Sequence, residues 1–357
     1  MPEFMKSCRL HAIRDLRCDN VEIPMPHGEE LLIRVSACGI CGSDIPRVYE
    51  HGTSNGKYPL AIGHEFAGEV VAVGENADSS LIGKKGAIYP LIPCRKCEAC
   101  QTGEYAMCED YDYLGSRRDG GFAEYCLIPS AWNFIPSSWN PYSASQATPE
   151  ELAMTEPACV AQHSVRRSGV KAGQFLVIYG AGPIGIMAAR WAEIFGASAL
   201  LVDIDDNKVR FSRAKGLVCI NPSKDSVCAT VREMNGGRLA DAAIEGTGAS
   251  AGLTGCIAAV RFGATIALLG NPRGDITLSN KIHSMLLRKE LHICGVWNSS
   301  RAPVPIDEWK YTVSMMDKGI FKVGDLITTR VGLDALPKTI EDIRFKRLDF
   351  VKAMYVK

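Results

Sequence analysis

Neither sign of charge is in excess, since forty Lys and Arg stand against forty Asp and Glu. No net field draws the chain to nucleic acid or to an anionic membrane, so any anionic substrate has to be held by a local site. Long apolar runs are also missing; none approaches the roughly 20 residues that cross a bilayer. No signal-peptide pattern opens the chain, and a cytoplasmic location is expected. Cysteine is plentiful at fourteen, but what it lacks is the spread of a disulfide framework: four crowd between Cys94 and Cys108. Reduced thiols, several of them on metal, account for this better than disulfides. Met1-Pro2-Glu3-Phe4, ahead of a second methionine at Met5, reads as a cloning scar and is left out of the fold argument.

What is present is ordinary globular material, 46% hydrophobic and 22% charged over 357 residues, enough for two domains. Up to about residue 150 short apolar runs alternate with turn residues: Glu30–Val35, Gly68–Gly74 and Lys85–Pro90 predict a mostly β, glycine-rich domain. From Pro149 to His163 the texture turns helical, with Thr148 and Pro149 as the start signal. Glu156, directly before Pro157, marks an interruption or restart of that helix.

The pattern then becomes α/β. Gln174–Tyr179 is a buried-strand run closed by Gly180-Ala181-Gly182-Pro183-Ile184-Gly185, and a second strand, Ala197–Val202, ends at Asp203. Strand, GxGxxG, helix, strand and acid together form a dinucleotide fingerprint. Gly180 makes the turn, Gly182 lets the backbone approach a pyrophosphate, and Gly185 lets the helix pack on the strand. Asp203 can accept from a ribose 2′-hydroxyl and repels a 2′-phosphate, which predicts NAD rather than NADP. Further strands at Leu217–Ile220, Ala242–Glu245, Ala264–Leu269 and Leu291–Gly295 predict a doubly wound parallel sheet ending near Val296. The tail, with a helix at Ile306–Met316, is too short to fold alone and is expected to return to the first domain.

Two stretches carry metal chemistry. Cys38-Gly39-Ile40-Cys41-Gly42-Ser43-Asp44, followed by Gly63-His64-Glu65, gathers thiol, imidazole and carboxylate donors of the kind that hold a catalytic zinc. A buried Cys pair with a core His is the plainer alternative, and spacing does not choose between Cys38 and Cys41. Cys94, Cys97, Cys100 and Cys108 fit a closed four-thiolate structural zinc; a ferredoxin-type cluster has a shorter last gap and a proline after its fourth Cys. Arg117 and Arg118, among glycines, and Arg47, past Cys41, are candidates to hold a phosphate or carboxylate, although most arginines simply face solvent.

These residues together resemble the zinc-dependent medium-chain alcohol and polyol dehydrogenases over nearly the whole chain. The shared signals are Gly39–Asp44, Gly63-His64-Glu65, the four-Cys cluster, Glu156-Pro157 with His163 beyond, and the Gly180–Gly185 turn. The resemblance implies a GroES-like catalytic domain (5–160, completed by 297–357) interrupted by a Rossmann domain (161–296). It makes Cys41, His64 and Glu156 the catalytic zinc ligands, with Glu65 a carboxylate able to approach or exchange, and gives the second zinc to the four-Cys cluster. Ser43 is implied as a proton relay. Pro46 stands where many relatives carry a relay histidine, so the route beyond Ser43 is open. Cys41–Arg47, Gly115–Tyr125 and Gly295-Val296-Trp297 with Glu308-Trp309 liken the chain to the branch acting on galactitol 1-phosphate. The expected reaction is hydride transfer from a sugar alcohol or its phosphate to NAD, in a homodimer or homotetramer. Free polyols or diols, L-threonine, a non-catalytic zinc and NAD sensor, and a Cys38–Cys41 thiol oxidoreductase are the competing readings.

Overall fold

The computed structural model describes residues 2–137, 147–272 and 274–357. The chain divides into two compact units, Met1–Glu156 with Ser300–Lys357 and, inserted between them, Pro157–Ser299. The first unit is built on the strand Leu31–Gly39, most of whose side chains are fully buried. One edge pairs antiparallel with Glu65–Val73; the other pairs with Tyr125–Ile128 near its start and with Lys352–Val356 at its end. Lys352–Val356 in turn runs parallel to Ile327–Val331, so the tail does return to the first unit. A second, three-stranded sheet pairs Phe4–Ala12 with Asp15–Glu22 and with Leu60–Ala61.

The second unit is a six-stranded sheet, all parallel, in the spatial order Cys219–Ile220, Ser198–Val202, Phe175–Tyr179, Ala240–Glu245, Val260–Leu268, His292–Gly295. In chain order that is 3-2-1-4-5-6, which puts a switch point between the first and fourth strands, beyond their carboxyl ends. The first strand is buried throughout, as a strand covered on both faces has to be.

Several details depart from expectation. Phe4 belongs to the first strand, paired with Glu22, while Met1 lies outside the described residues. Cys8 and Cys18 form a disulfide where only reduced thiols were expected. They stand directly opposite one another in the antiparallel register, a pairing that composition does not reveal. The expected strand from Leu217 shortens to Cys219–Ile220, because Gly216 has a positive φ of 79° and still belongs to the turn. The helical stretch splits at Met154 into Pro149–Ala153 and Thr155–Ser168. Pro157 then falls in the first turn of the second helix, where its missing N–H deprives no carbonyl.

Trp191, on the helix after the first parallel strand, is fully buried, donates from Nε1 to the Ala158 carbonyl at 3.0 Å and stacks on Phe195. Trp191→Ala should destabilise the Pro157–Ser299 unit by about 3–5 kcal/mol, read as a lowered denaturation midpoint. A shift below about 1 kcal/mol would mean that the helix is not anchored by this ring.

Candidate active site

Cys41 sits just past the end of Leu31–Gly39, and His64 and Glu65 sit where the neighbouring strand Glu65–Val73 begins. Gly39 and Glu65 are ladder partners, so sheet register alone brings the two sequence motifs together. Gly63 has φ +92°, and a side chain there would run into Phe122 and Cys38; glycine is required for the chain to turn into His64. The ligand atoms of Cys41, His64 and Glu65 all lie within 4.8 Å of one another. Glu156, on the helix Thr155–Ser168, is buried but stands outside that group. Burial pushes its carboxyl up to about 7, with Glu65 and Asp44 adding to the rise and His64 and Lys352 opposing it.

Burial would lower the His64 pKa, but Cys41, Asp44 and Glu156 outweigh it and raise the value to about 10. The site therefore attracts positive charge strongly. Ser43 is exposed and its side chain caps nothing. Cys38 is fully buried in the apolar core, its thiol pushed well up mainly by desolvation.

Two participants were missed in the sequence. Asp44 is completely buried, accepts from the Cys41 N–H at 2.9 Å, and holds Oδ1 3.7 Å from His64 Nδ1. Both of those facing atoms lack a hydrogen-bond partner. A carboxylate three residues past the cysteine was the available signal. Lys352, from the far end of the chain, is buried with its ammonium against Glu65. No local pattern marks it.

The four-Cys lobe forms a second cluster. Cys94 and Cys100 Sγ are 3.9 Å apart, as are Cys97 and Cys108 Sγ. A tetrahedron with Zn–S bonds of about 2.3 Å has edges of about 3.8 Å, so the donors fit zinc. The N–H groups of Cys94 and Cys97 point at the sulfurs of Cys108 and Cys94 at 3.2 and 3.4 Å, which suits thiolates. At the first cluster the donor types, their separation and the orphaned atoms of His64 and Asp44 likewise fit a divalent ion with nitrogen, sulfur and oxygen ligands.

In the inserted unit Gly180 has φ +108°, Gly182 caps the helix Pro183–Ile194, and a side chain at Gly185 would strike the Gly180 carbonyl. Pro183 begins that helix with Ile184 half-buried beside it. Asp203 is held by the Ala181 N–H at 2.8 Å and the Asp205 N–H at 2.9 Å, with Lys208 Nζ 3.5 Å away. The arginines differ among themselves. Arg117 stacks 4.1 Å over Tyr111 and donates to its carbonyl, and Arg118 is paired with Asp112 at 2.5 Å. Arg47 donates from Nη1 to Ser54 Oγ at 3.1 Å, while its buried Nε has no partner.

Residues 27–137 match the model of the alcohol dehydrogenase GroES-like domain, and residues 183–318 that of the zinc-binding dehydrogenases. Galactitol 1-phosphate 5-dehydrogenase of Escherichia coli K12 is 30% identical over 322 residues, 89% of this chain and 90% of its own. The chain belongs to the zinc-binding alcohol dehydrogenase family. Within it, the chain is a polyol-dehydrogenase-type oxidoreductase. L-galactonate-5-dehydrogenase of the same organism is 30% identical over 335 residues, 93% of each chain. The crystal structure of galactitol-1-phosphate dehydrogenase from E. coli has a TM-score of 0.88 at 29% identity, covering 99% of this chain and 100% of that one. A zinc-binding dehydrogenase of Sinorhizobium meliloti 1021 bound to NADP also scores 0.88, at 27% identity with both chains covered in full. The GroES-like and Rossmann architecture is thereby established, and no helix among the described residues is long and apolar enough to cross a membrane.

Within the four-Cys lobe, backbone N–H groups of Lys96 and Cys97 lower Cys94 to about 6, whereas burial lifts Cys100 to about 12. In chelator-treated protein near neutral pH, Cys94 should be alkylated before Cys100, and its rate should fall as the pH drops through about 6. Peptide mapping checks the order; labelling of Cys100 first would contradict this assignment of thiolate character.

Proposed function

We propose that the chain is a zinc-dependent dehydrogenase that oxidises a secondary alcohol of a sugar alcohol or sugar-alcohol phosphate with NAD, giving the ketose or its phosphate. The observation that carries the reading is the meeting of the Cys41, His64 and Glu65 ligand atoms within 4.8 Å of one another, with buried Glu156 near enough to act on the charge of His64. Cys41, His64 and Glu156 would hold the catalytic zinc, and Cys94, Cys97, Cys100 and Cys108 the structural one. Bound zinc supplies Lewis acidity that lowers the pKa of the alcohol, and the dinucleotide supplies the hydride acceptor. Asp44 touches both ligand elements: it accepts from the Cys41 N–H and holds Oδ1 3.7 Å from His64 Nδ1, a placement that orients both. Ser43, exposed beside this buried set, would carry the alcohol proton outward.

On the cofactor side, the Gly180–Gly185 turn and the helix behind it would receive the pyrophosphate. The fixed carboxylate of Asp203 supports NAD over NADP by charge. The cofactor of the S. meliloti relative makes this a property to test in each chain. Asp203→Ala should raise kcat/KM with NADP relative to NAD by at least tenfold, measured on one alcohol; an unchanged ratio would leave Asp203 without a part in the choice.

For a phosphorylated substrate, Arg47 is the favoured anchor because its Nε is free and Arg117 and Arg118 already have partners. An anion at Arg118 would have to displace Asp112, so those two arginines become secondary candidates. Their engagement is also what supports the rival, a free polyol. A homodimer or homotetramer in the cytoplasm completes the reading, the assembly being open to light scattering.

NAD reduction compared on galactitol 1-phosphate and galactitol tests the branch. A strong preference for the phosphate is expected, with Arg47→Ala lowering kcat/KM for it by roughly ten- to hundredfold, the worth of a hydrogen bond to a charged group at about 1.5–3 kcal/mol. Equal use of the free polyol would remove the anion site. Cys41→Ser and His64→Ala should abolish turnover in folded protein that still binds NAD; retained activity would overturn the zinc assignment.

A further inference from the structure

Glu245 ends the strand Ala240–Glu245, in register with Tyr179 at the end of Phe175–Tyr179. It is 4% exposed, a costly place for a carboxylate, and neutral donors offset the cost. Oε1 accepts from the Thr247 N–H at 2.8 Å and from the Thr247 hydroxyl, and Oε2 accepts from the Gly248 N–H at 3.1 Å. The helix Ser250–Ala259 leaves room for the acid: a side chain at Gly252 would collide with Glu245 Oε1 and Thr247 Oγ1. The turn held in this way packs backbone to backbone with its neighbours. The Gly246 N–H donates to the Tyr179 carbonyl at 2.8 Å, and the Glu245 carbonyl accepts from the Leu269 and Gly270 N–H groups, each at 2.8 Å. A side chain at Gly270 would strike the Gly248 nitrogen. Gly246 and Thr247 are exposed on this surface, while the acid that holds them is not.

A dinucleotide crosses the carboxyl ends of such a sheet at its switch point. Asp203 follows the second strand, on one side of the first; Ala240–Glu245 and Val260–Leu268 lie on the other side. The ribose that distinguishes NAD from NADP is the adenosine ribose, and with it at Asp203 and the pyrophosphate at Gly180–Gly185, the nicotinamide half has to lie over the fourth and fifth strands. We propose that Glu245 is a positioning residue for that half. Its carboxylate touches no part of the cofactor; it fixes the Gly246–Gly248 turn, which two glycines would otherwise leave free to take other shapes, in the form on which the nicotinamide half rests. This inference rests on the dinucleotide reading above.

The test measures binding to the full-length protein: NADH, the whole dinucleotide, by nicotinamide fluorescence, and ADP, its adenosine half, by calorimetry. Glu245→Gln keeps the shape of the side chain but turns one acceptor into an NH2 group facing a backbone N–H. Its Kd for NADH should rise roughly tenfold or more, the worth of a lost hydrogen bond to a charged group, while its Kd for ADP stays within about twofold of the parent. Thr247→Ser retains the hydroxyl that Glu245 accepts from and should bind both as the parent does. Thr247→Val removes that hydroxyl and should weaken NADH about threefold or more with ADP unchanged, which tests the same turn if Glu245→Gln does not fold. Parental NADH binding in Glu245→Gln overturns the inference. An equal loss of NADH and ADP overturns it too, since the acid would then merely support the fold of the unit. If the parent itself holds NADH no more tightly than ADP, the dinucleotide reading fails, a result distinct from either.

Discussion

Charge buried without compensation is the constraint that the first unit is built around. Cys41, Asp44, Glu65 and Glu156 are four groups that carry negative charge when a metal-binding state forms, and all but Cys41 are nearly or wholly removed from solvent. Against them stand the ammonium of Lys352 and, acting on Asp44, the guanidinium of Arg47. Four negative groups against two positive ones leave a deficit that a divalent ion cancels. The same crowding of negative charge draws His64 up to about 10 against its burial, while Glu156 rises to about 7 chiefly because it is buried. A buried set of this kind is poor stability in exchange for a strong affinity for cations.

The inserted unit solves a different problem with less charge. Its core is apolar parallel strand against helix, and its chemistry is concentrated in one turn. Asp203 spends both oxygens on backbone N–H groups, so it is fixed in place before any ligand arrives. Preorganisation of that sort limits what the carboxylate can adapt to, and an extra phosphate is what it accommodates least.

How much of this was legible follows from the range of each interaction. Patterns closed within about thirty residues could be read: the Gly180–Gly185 turn with Asp203, the four-Cys lobe, the strands of the parallel sheet. Bringing Cys41 to His64 and Glu65 needed a family resemblance, because nothing in their spacing states that Gly39 will lie opposite Glu65. Arg117 and Arg118 looked available as residue types. Their partners, Tyr111 and Asp112, are six residues away, and only the folded loop shows that they take the guanidinium groups. Cys8 and Cys18 were misread for a related reason, since hairpin register decides whether two thiols meet.

Lys352 is the extreme case, 287 residues from Glu65. Its position depends on a strand that joins the sheet last in chain order, between Ile327–Val331 and Leu31–Gly39. A slip of one residue in that pairing would send every side chain of Lys352–Val356 to the opposite face, carrying the ammonium away from Glu65 and leaving that acid buried beside the metal ligands. The apolar residues that follow the lysine, Ala353, Met354 and Tyr355, are all fully or almost fully buried and make such a slip expensive. Packing in the return segment thereby guards the charge balance of a site whose ligands all come from the other end of the unit.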